Sequence, residues 1–123
     1  MSQVIPNITV QSKKLVLDNE KLRRANAKVT TATAYKKGDL LTLSDANVLT
    51  HATDEKTWDV ICGQDVAAAE ATIKAADGIE IPVYYGGVFN VEAVSLNGTL
   101  LTTAKYDAAR AKATKNKIEL SKV

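Results

Sequence analysis

The stretch Ile79-Glu80-Ile81-Pro82-Val83-Tyr84-Tyr85-Gly86-Gly87-Val88-Phe89-Asn90 decides how the rest of the chain is read. Ile79, Ile81, Val83 and Tyr85 alternate with Glu80, Pro82 and Tyr84. That period of two predicts a strand with one buried face. Gly86-Gly87 predicts a bend or bulge, where an absent side chain lets the backbone deviate. Residues 88–94 are expected to continue the strand, with Val88, Asn90 and Glu92 facing away from Phe89, Val91 and Ala93. Asn97-Gly98 then marks a tight reversal, because both residues tolerate positive φ.

Upstream, the pattern is one of short apolar runs and polar turns. Lys36-Lys37-Gly38-Asp39 reads as a turn that opens a strand at residues 40–43. Residues 44–47 turn the chain again into 48–51, and the polar 53–56 lead into a strand at 58–62. The β-branched residues Val29, Thr30, Thr31 and Thr33 predict a further strand over 27–35. Leu15-Val16-Leu17 is a short apolar run, followed by a polar segment 18–26 expected to form a turn or a single helical turn. Strands at this spacing belong to a small barrel or sandwich.

Residues 65–78 admit two readings. The alanines with Val66 and Ile73 suit a short helix stopped by Gly78, whereas Asp77-Gly78 before residues 79–83 suits a loop feeding a hairpin, which is the expectation adopted. Thr102 or Thr103 can N-cap a helix over 104–114 with Ala104, Tyr106, Ala108 and Ala111 inward, and 118–123 completes a strand. The fold class is therefore α+β and β-rich: a small barrel- or sandwich-like β domain with one main helix near the C-terminus.

Residues 1–14 stand apart from the single β-rich domain expected at 15–123. Val4, Ile5, Ile8 and Val10 are apolar, but Pro6 interrupts them and removes a backbone donor. The segment reads either as an extended arm or as an edge strand of the domain's own sheet.

Of the 123 residues, 46% are hydrophobic and 24% charged, the balance of a soluble globular domain. No apolar run approaches the roughly 20 residues of a spanning helix, and Met-Ser-Gln-Val-Ile-Pro lacks the pattern of a secretory signal, so folding in a cytoplasm and no membrane partner are expected. A net charge of +2 is too small for direct nucleic-acid binding, which needs clustered cations against several phosphates. Basic residues gather at 13–14, 21–24 and 105–117, and the middle at 39–80 is richer in acid, as solvated faces often are.

Catalytic chemistry finds few candidates. His51 is the only histidine and Cys62 the only cysteine, so neither a disulfide within the chain nor a histidine-rich metal site is expected. His51 is expected at a strand surface. Cys62 reads as a small core residue, not as a nucleophile with His51 as its base. Asp54, Glu55 and Asp59 resemble an acid pair only by proximity and read as a solvated loop. Gly86-Gly87 lacks the strand-to-helix context of a phosphate cradle. No catalytic residue, cofactor or metal is expected. Trp58, Tyr84 and Tyr85 would form the stacking platform of a soluble binding module if exposed, the alternative function, whereas Trp58 in a strong strand is expected in the core.

Three motifs occur in a telling order: Gly38-Asp39-Leu40-Leu41-Thr42-Leu43, then Val60-Ile61-Cys62-Gly63-Gln64-Asp65-Val66-Ala67, then Val83-Tyr84-Tyr85-Gly86-Gly87-Val88-Phe89-Asn90. With the helix and short strand that follow, this arrangement resembles the lambda-type head decoration (capsid cement) proteins of tailed bacteriophages, over residues 27–123. The chain departs from that pattern at Lys117-Ile118, where a glycine is common, and in a long segment 70–78. The resemblance implies a non-enzymatic virion protein on the outer surface of the phage head, with the major capsid protein as partner. It also implies a homotrimer whose N-terminal arms, bearing Val4, Ile5, Pro6, Ile8 and Val10, lie across the shell.

Overall fold

The computed structural model describes residues 14–122. Among them the elements run β1 (Val16–Lys28), β2 (Leu40–Leu43), β3 (Leu49–His51), β4 (Val60–Cys62), α1 (Ala68–Asp77), β5 (Glu80–Asn90), β6 (Ser95–Leu96), β7 (Thr99–Leu100), α2 (Tyr106–Lys115) and β8 (Ile118–Ser121). The fold is the β-rich α+β arrangement expected, with a six-stranded sheet in the order β1-β5-β4-β2-β3 and β8 added to β5. The arm residues Val4, Ile5, Pro6, Ile8 and Val10 lie outside the described residues.

β5 is the organising strand. β1 runs antiparallel along one side of it. The other side is shared by β4, which pairs antiparallel near Tyr84, and β8, which pairs parallel over 87–90. A bridge between Lys28 and Val48, with the Lys28 N–H donating to the Asn47 carbonyl at 2.9 Å, brings β3 back to the end of β1 and closes a small barrel.

Two apolar clusters occupy the two faces of this sheet. Ala27, Leu41, Leu49, Val60, Cys62, Ile81 and Val83 fill the inside with Tyr35, Val66 and Ala71. Leu40, Ile61, Tyr84 and Phe89 point the other way, against Trp58, Val91, Val94, the α2 alanines and the β8 residues Ile118 and Leu120. Successive strand residues serve opposite clusters, which is why Leu40-Leu41 and Val60-Ile61-Cys62 are continuously apolar. It also corrects the expected face of β5: Ile81 and Val83 are buried, but Ile79 and Tyr85 are exposed and Tyr84 is buried in the other cluster. The strand ends at Asn90, whose side chain accepts the Glu92 N–H at 3.0 Å and starts a 3₁₀ turn at Val91–Ala93 where continued strand was expected.

Four other expectations are corrected. Residues 18–26 are part of β1, not a turn, while 29–35 form a loop and not a strand. There Thr30 donates its hydroxyl to Leu49, Thr33 donates to Thr31, and Ala32 takes φ +56°, so the threonines satisfy loop backbone groups. Residues 68–77 are a helix. Gly78 at φ +68° terminates it, with its N–H returned to the Lys74 carbonyl, so Asp77-Gly78 is a helix stop and not a hairpin turn. In α2 the buried residues are Ala109 and Ala113, one turn apart, with Tyr106 half-buried; Ala104 and Ala111 face solvent.

The remaining turns agree with their sequence signals. Gly38 adopts φ +101°, and a Cβ there would meet the Ala93 carbonyl oxygen at 2.5 Å, so the turn before β2 needs glycine. Asn97 and Gly98, both at positive φ, form the two-residue turn of the β6–β7 hairpin.

Candidate functional site

The most concentrated polar group in the interior is built around Asp39. Its place after Gly38 points the carboxylate inward, 1% exposed. Oδ1 accepts the Ser95 hydroxyl at 2.5 Å and the Gly98 N–H at 2.9 Å, and Oδ2 accepts the Lys36 N–H at 2.9 Å. These charge-assisted bonds compensate burial of the carboxylate. They also fasten the β6–β7 hairpin to the turn that starts β2, an attachment 56 residues apart in sequence that nothing local announces.

His51 lies against this group with its side chain only 12% exposed, which corrects the surface position expected for it. Its Nε2 is 2.7 Å from the Ala34 carbonyl and its ring stacks on Tyr35 at 5.2 Å. A carbonyl only accepts, so Nε2 carries a hydrogen and Nδ1 faces Asp39 Oδ2 at 3.8 Å. Ser95, His51 and Asp39 do not compose a nucleophile relay. The serine hydroxyl is bonded to the carboxylate, whereas activation requires it to be bonded to the imidazole.

Cys62 is buried in the inner cluster, and its thiol donates to the Gln64 carbonyl at 3.0 Å. Burial pushes the thiol up to about 11, the opposite of the shift that makes a reactive thiolate. The carboxylates of Asp54 and Asp59 are occupied by the fold. Asp54 Oδ1 accepts the Lys56 N–H at 2.8 Å, a bond that holds its carboxyl below the usual range, and Asp59 Oδ2 accepts the Leu43 N–H at 2.9 Å. Glu55 offers its backbone carbonyl to the Trp58 indole N–H at 2.9 Å.

The aromatic residues are not assembled into a platform. Trp58 and Tyr84 are buried, as expected for Trp58, and Tyr85 alone is exposed. Among the described residues no group of three or more histidine, cysteine, aspartate or glutamate side chains is placed to hold a metal ion, and no helix is long and apolar enough to cross a membrane.

The described chain begins at a point that is well fixed to the central strand. Leu15 is buried, its carbonyl accepts the Asn90 N–H at 2.8 Å, and its side chain lies beside Gly38. Val16 then pairs with Phe89 and the chain continues into β1. No protein-family model matches the chain, and no curated protein matches it.

Proposed function

We propose that the protein is a non-enzymatic decoration protein of a tailed-phage head, bound to the outer surface of the shell as a homotrimer and stabilising it against internal DNA pressure. The observation that carries this reading is how the three motifs of the resemblance meet. The turn-and-strand 38–43, the strand at 60–62 and the stretch 83–90 are adjacent in one sheet, as β2, β4 and β5. A likeness of short motifs scattered over separate layers would count for less than one whose members are hydrogen-bonded neighbours.

The attachment at Leu15 supplies the mechanics. Force on the arm passes through Leu15 to Asn90 of the central strand and along the β1–β5 pairing, the most extensive in the sheet. Burying Val4, Ile5, Ile8 and Val10 on a partner would contribute about 1.5–3 kcal/mol each, against roughly 1–2 kcal/mol for ordering each arm residue. A single arm therefore binds weakly. Three arms on one trimer gain avidity of roughly 10² to 10⁴, because each engaged arm raises the local concentration of the next. An arm that adds a strand to a capsid sheet would draw affinity from backbone hydrogen bonds and register from alternate side chains.

Co-sedimentation with empty phage heads tests this. The full chain should pellet with the heads, and deletion of residues 2–12 should abolish pelleting while the circular dichroism of the domain is retained. Undiminished binding by the truncated protein would refute the arm mechanism, and failure of the full chain to bind heads would refute the function.

A further inference from the structure

The two strands of the β6–β7 hairpin have two residues each, and both residues of β7 are exposed. A two-stranded ribbon of this length is not stable by itself, so its tip depends on what it is tied to. The tie is Asp39, whose Oδ1 accepts the Ser95 hydroxyl at 2.5 Å and the Gly98 N–H at 2.9 Å. Behind the tip, the Ser95 N–H donates to the Gly38 carbonyl at 3.0 Å.

Asn97-Gly98, the turn of this hairpin, is also the only asparagine-glycine pair in the chain. Such a pair deamidates readily, because glycine has no side chain to hinder attack on the asparagine amide. The Gly98 nitrogen gives up its proton to a base in the solvent, and its electron pair forms a bond to Asn97 Cγ. The Cγ–Nδ2 bond then breaks, and the departing nitrogen takes up a proton and leaves as ammonia. Water opens the cyclic imide at either carbonyl, which leaves aspartate or isoaspartate at position 97. Base and water have access, since Asn97 and Gly98 are both exposed and a Cβ added at Gly98 would meet nothing within 4 Å.

The nitrogen that must attack is the one held by Asp39. An N–H bonded to a carboxylate keeps its proton, because an anionic nitrogen 2.9 Å from that oxygen would set like charges side by side. The bond also fixes the plane of the 97–98 peptide, with Asn97 at φ +48° and Gly98 at φ +86°, whereas attack requires that plane to rotate towards Cγ. We infer that Asn97 is a deamidation site gated by Asp39: shut while the Gly98 N–H is bonded to the carboxylate, reactive in molecules whose hairpin tip has left it. Local opening of this kind does not require global unfolding. The reaction is one-way. Isoaspartate adds a carbon to the main chain, so the two-residue turn no longer fits the Leu96–Thr99 pair, and either product puts a new carboxylate on the tip that Asp39 must hold. The gate works within one chain and is independent of binding to a phage head.

Peptide mapping by mass spectrometry tests this on the full chain, held at mildly alkaline pH below its melting temperature. The folded chain should deamidate at Asn97 more slowly than the same chain unfolded in urea. Asp39→Ala, which removes the acceptor, should raise the rate in the folded state by about tenfold or more. A second measurement does not depend on that variant folding. In the native chain, at urea concentrations below the unfolding midpoint, the Asn97 rate should climb together with hydrogen exchange at the Gly98 amide. Equal rates in the folded and the urea-unfolded chain would overturn the gate. So would a rate that keeps its native value until the whole domain unfolds, or a folded Asp39→Ala variant that deamidates no faster than the native chain.

Discussion

β1 and β4 both pair with β5, yet they are held by opposite means. β4 is three residues long and wholly buried: Val60 and Cys62 enter the inner cluster and Ile61 the outer one. β1 is thirteen residues long, and Ala27 is the one buried among them. β4 is secured by side chains on both faces, β1 chiefly by its backbone ladder to β5. A strand with layers on both sides must be apolar throughout, whereas a strand reaching past those layers needs apolar residues only where it meets one, as at Val16, Leu22 and Ala27.

Substitution should separate the two strands sharply. Ile61→Ala opens a cavity between Leu40, Tyr84 and the α2 layer and is expected to cost about 2–5 kcal/mol, read as a fall in the urea midpoint at constant slope. A loss below that of an ordinary surface change would mean that the outer layer collapses onto the site. Gly87→Ala tests the place where β1 depends on a β5 residue. Gly87 sits at φ +133°, and a Cβ would lie 3.2 Å from both Leu22 and Phe89. A cost of about 1–3 kcal/mol is expected from strain at this dihedral. A neutral result would show that the bulge in β1 shifts freely.

A third effect belongs to β4 and appears only in alkali. The Cys62 thiol is raised from its ordinary 9.0 to about 11 by burial. Below pH 9 both the folded and the unfolded chain keep the proton. Between about 9 and 11 the unfolded chain loses it and the folded chain does not, so rising pH favours unfolding. The native protein should therefore lose stability over this window more steeply than Cys62→Ala, whose alkaline branch lacks this contribution. Parallel pH profiles would place the thiol in contact with water.

The same contrast explains what the sequence disclosed. β2, β4 and most of β5 were legible because burial on both faces demands apolar residues between polar turns, and the Gly38 and Asn97-Gly98 turns because their backbone requires those residue types. β1 was not legible: Asp18, Glu20, Lys21, Arg23 and Arg24 record exposure to water and say nothing about pairing. The threonines at 30, 31 and 33 suit a strand or a loop equally, and the loop was chosen by distant partners such as Leu49 and Tyr35. Asp77-Gly78 provides positive φ for either a hairpin or a helix end, and Ala71 packed into the inner cluster decides for the helix. The candidate arm is a reading of composition that falls outside the described residues, whereas the Asp39 hub depends on residues far apart in the chain. His51 was misplaced for the same reason, since Ala34, Tyr35 and Asp39 bury it from other elements.

The smallest effect on stability is expected on β1, and it carries a separate consequence. Glu20→Thr with Lys21→Thr keeps the net charge at +2 and alters two exposed residues, so the unfolding free energy should move by no more than about 0.5 kcal/mol. The change nevertheless removes two charges from an edge that has no partner strand along most of its length among the described residues. Charged side chains and bulges are the means by which such an edge is kept from pairing with another chain. The double variant should therefore scatter more light on prolonged warming below its melting temperature, at unchanged urea midpoint. If stability and scattering both stay at native values, the bulge alone guards the edge. If stability falls by several kcal/mol, β1 is held by its side chains after all, and its contrast with β4 is lost.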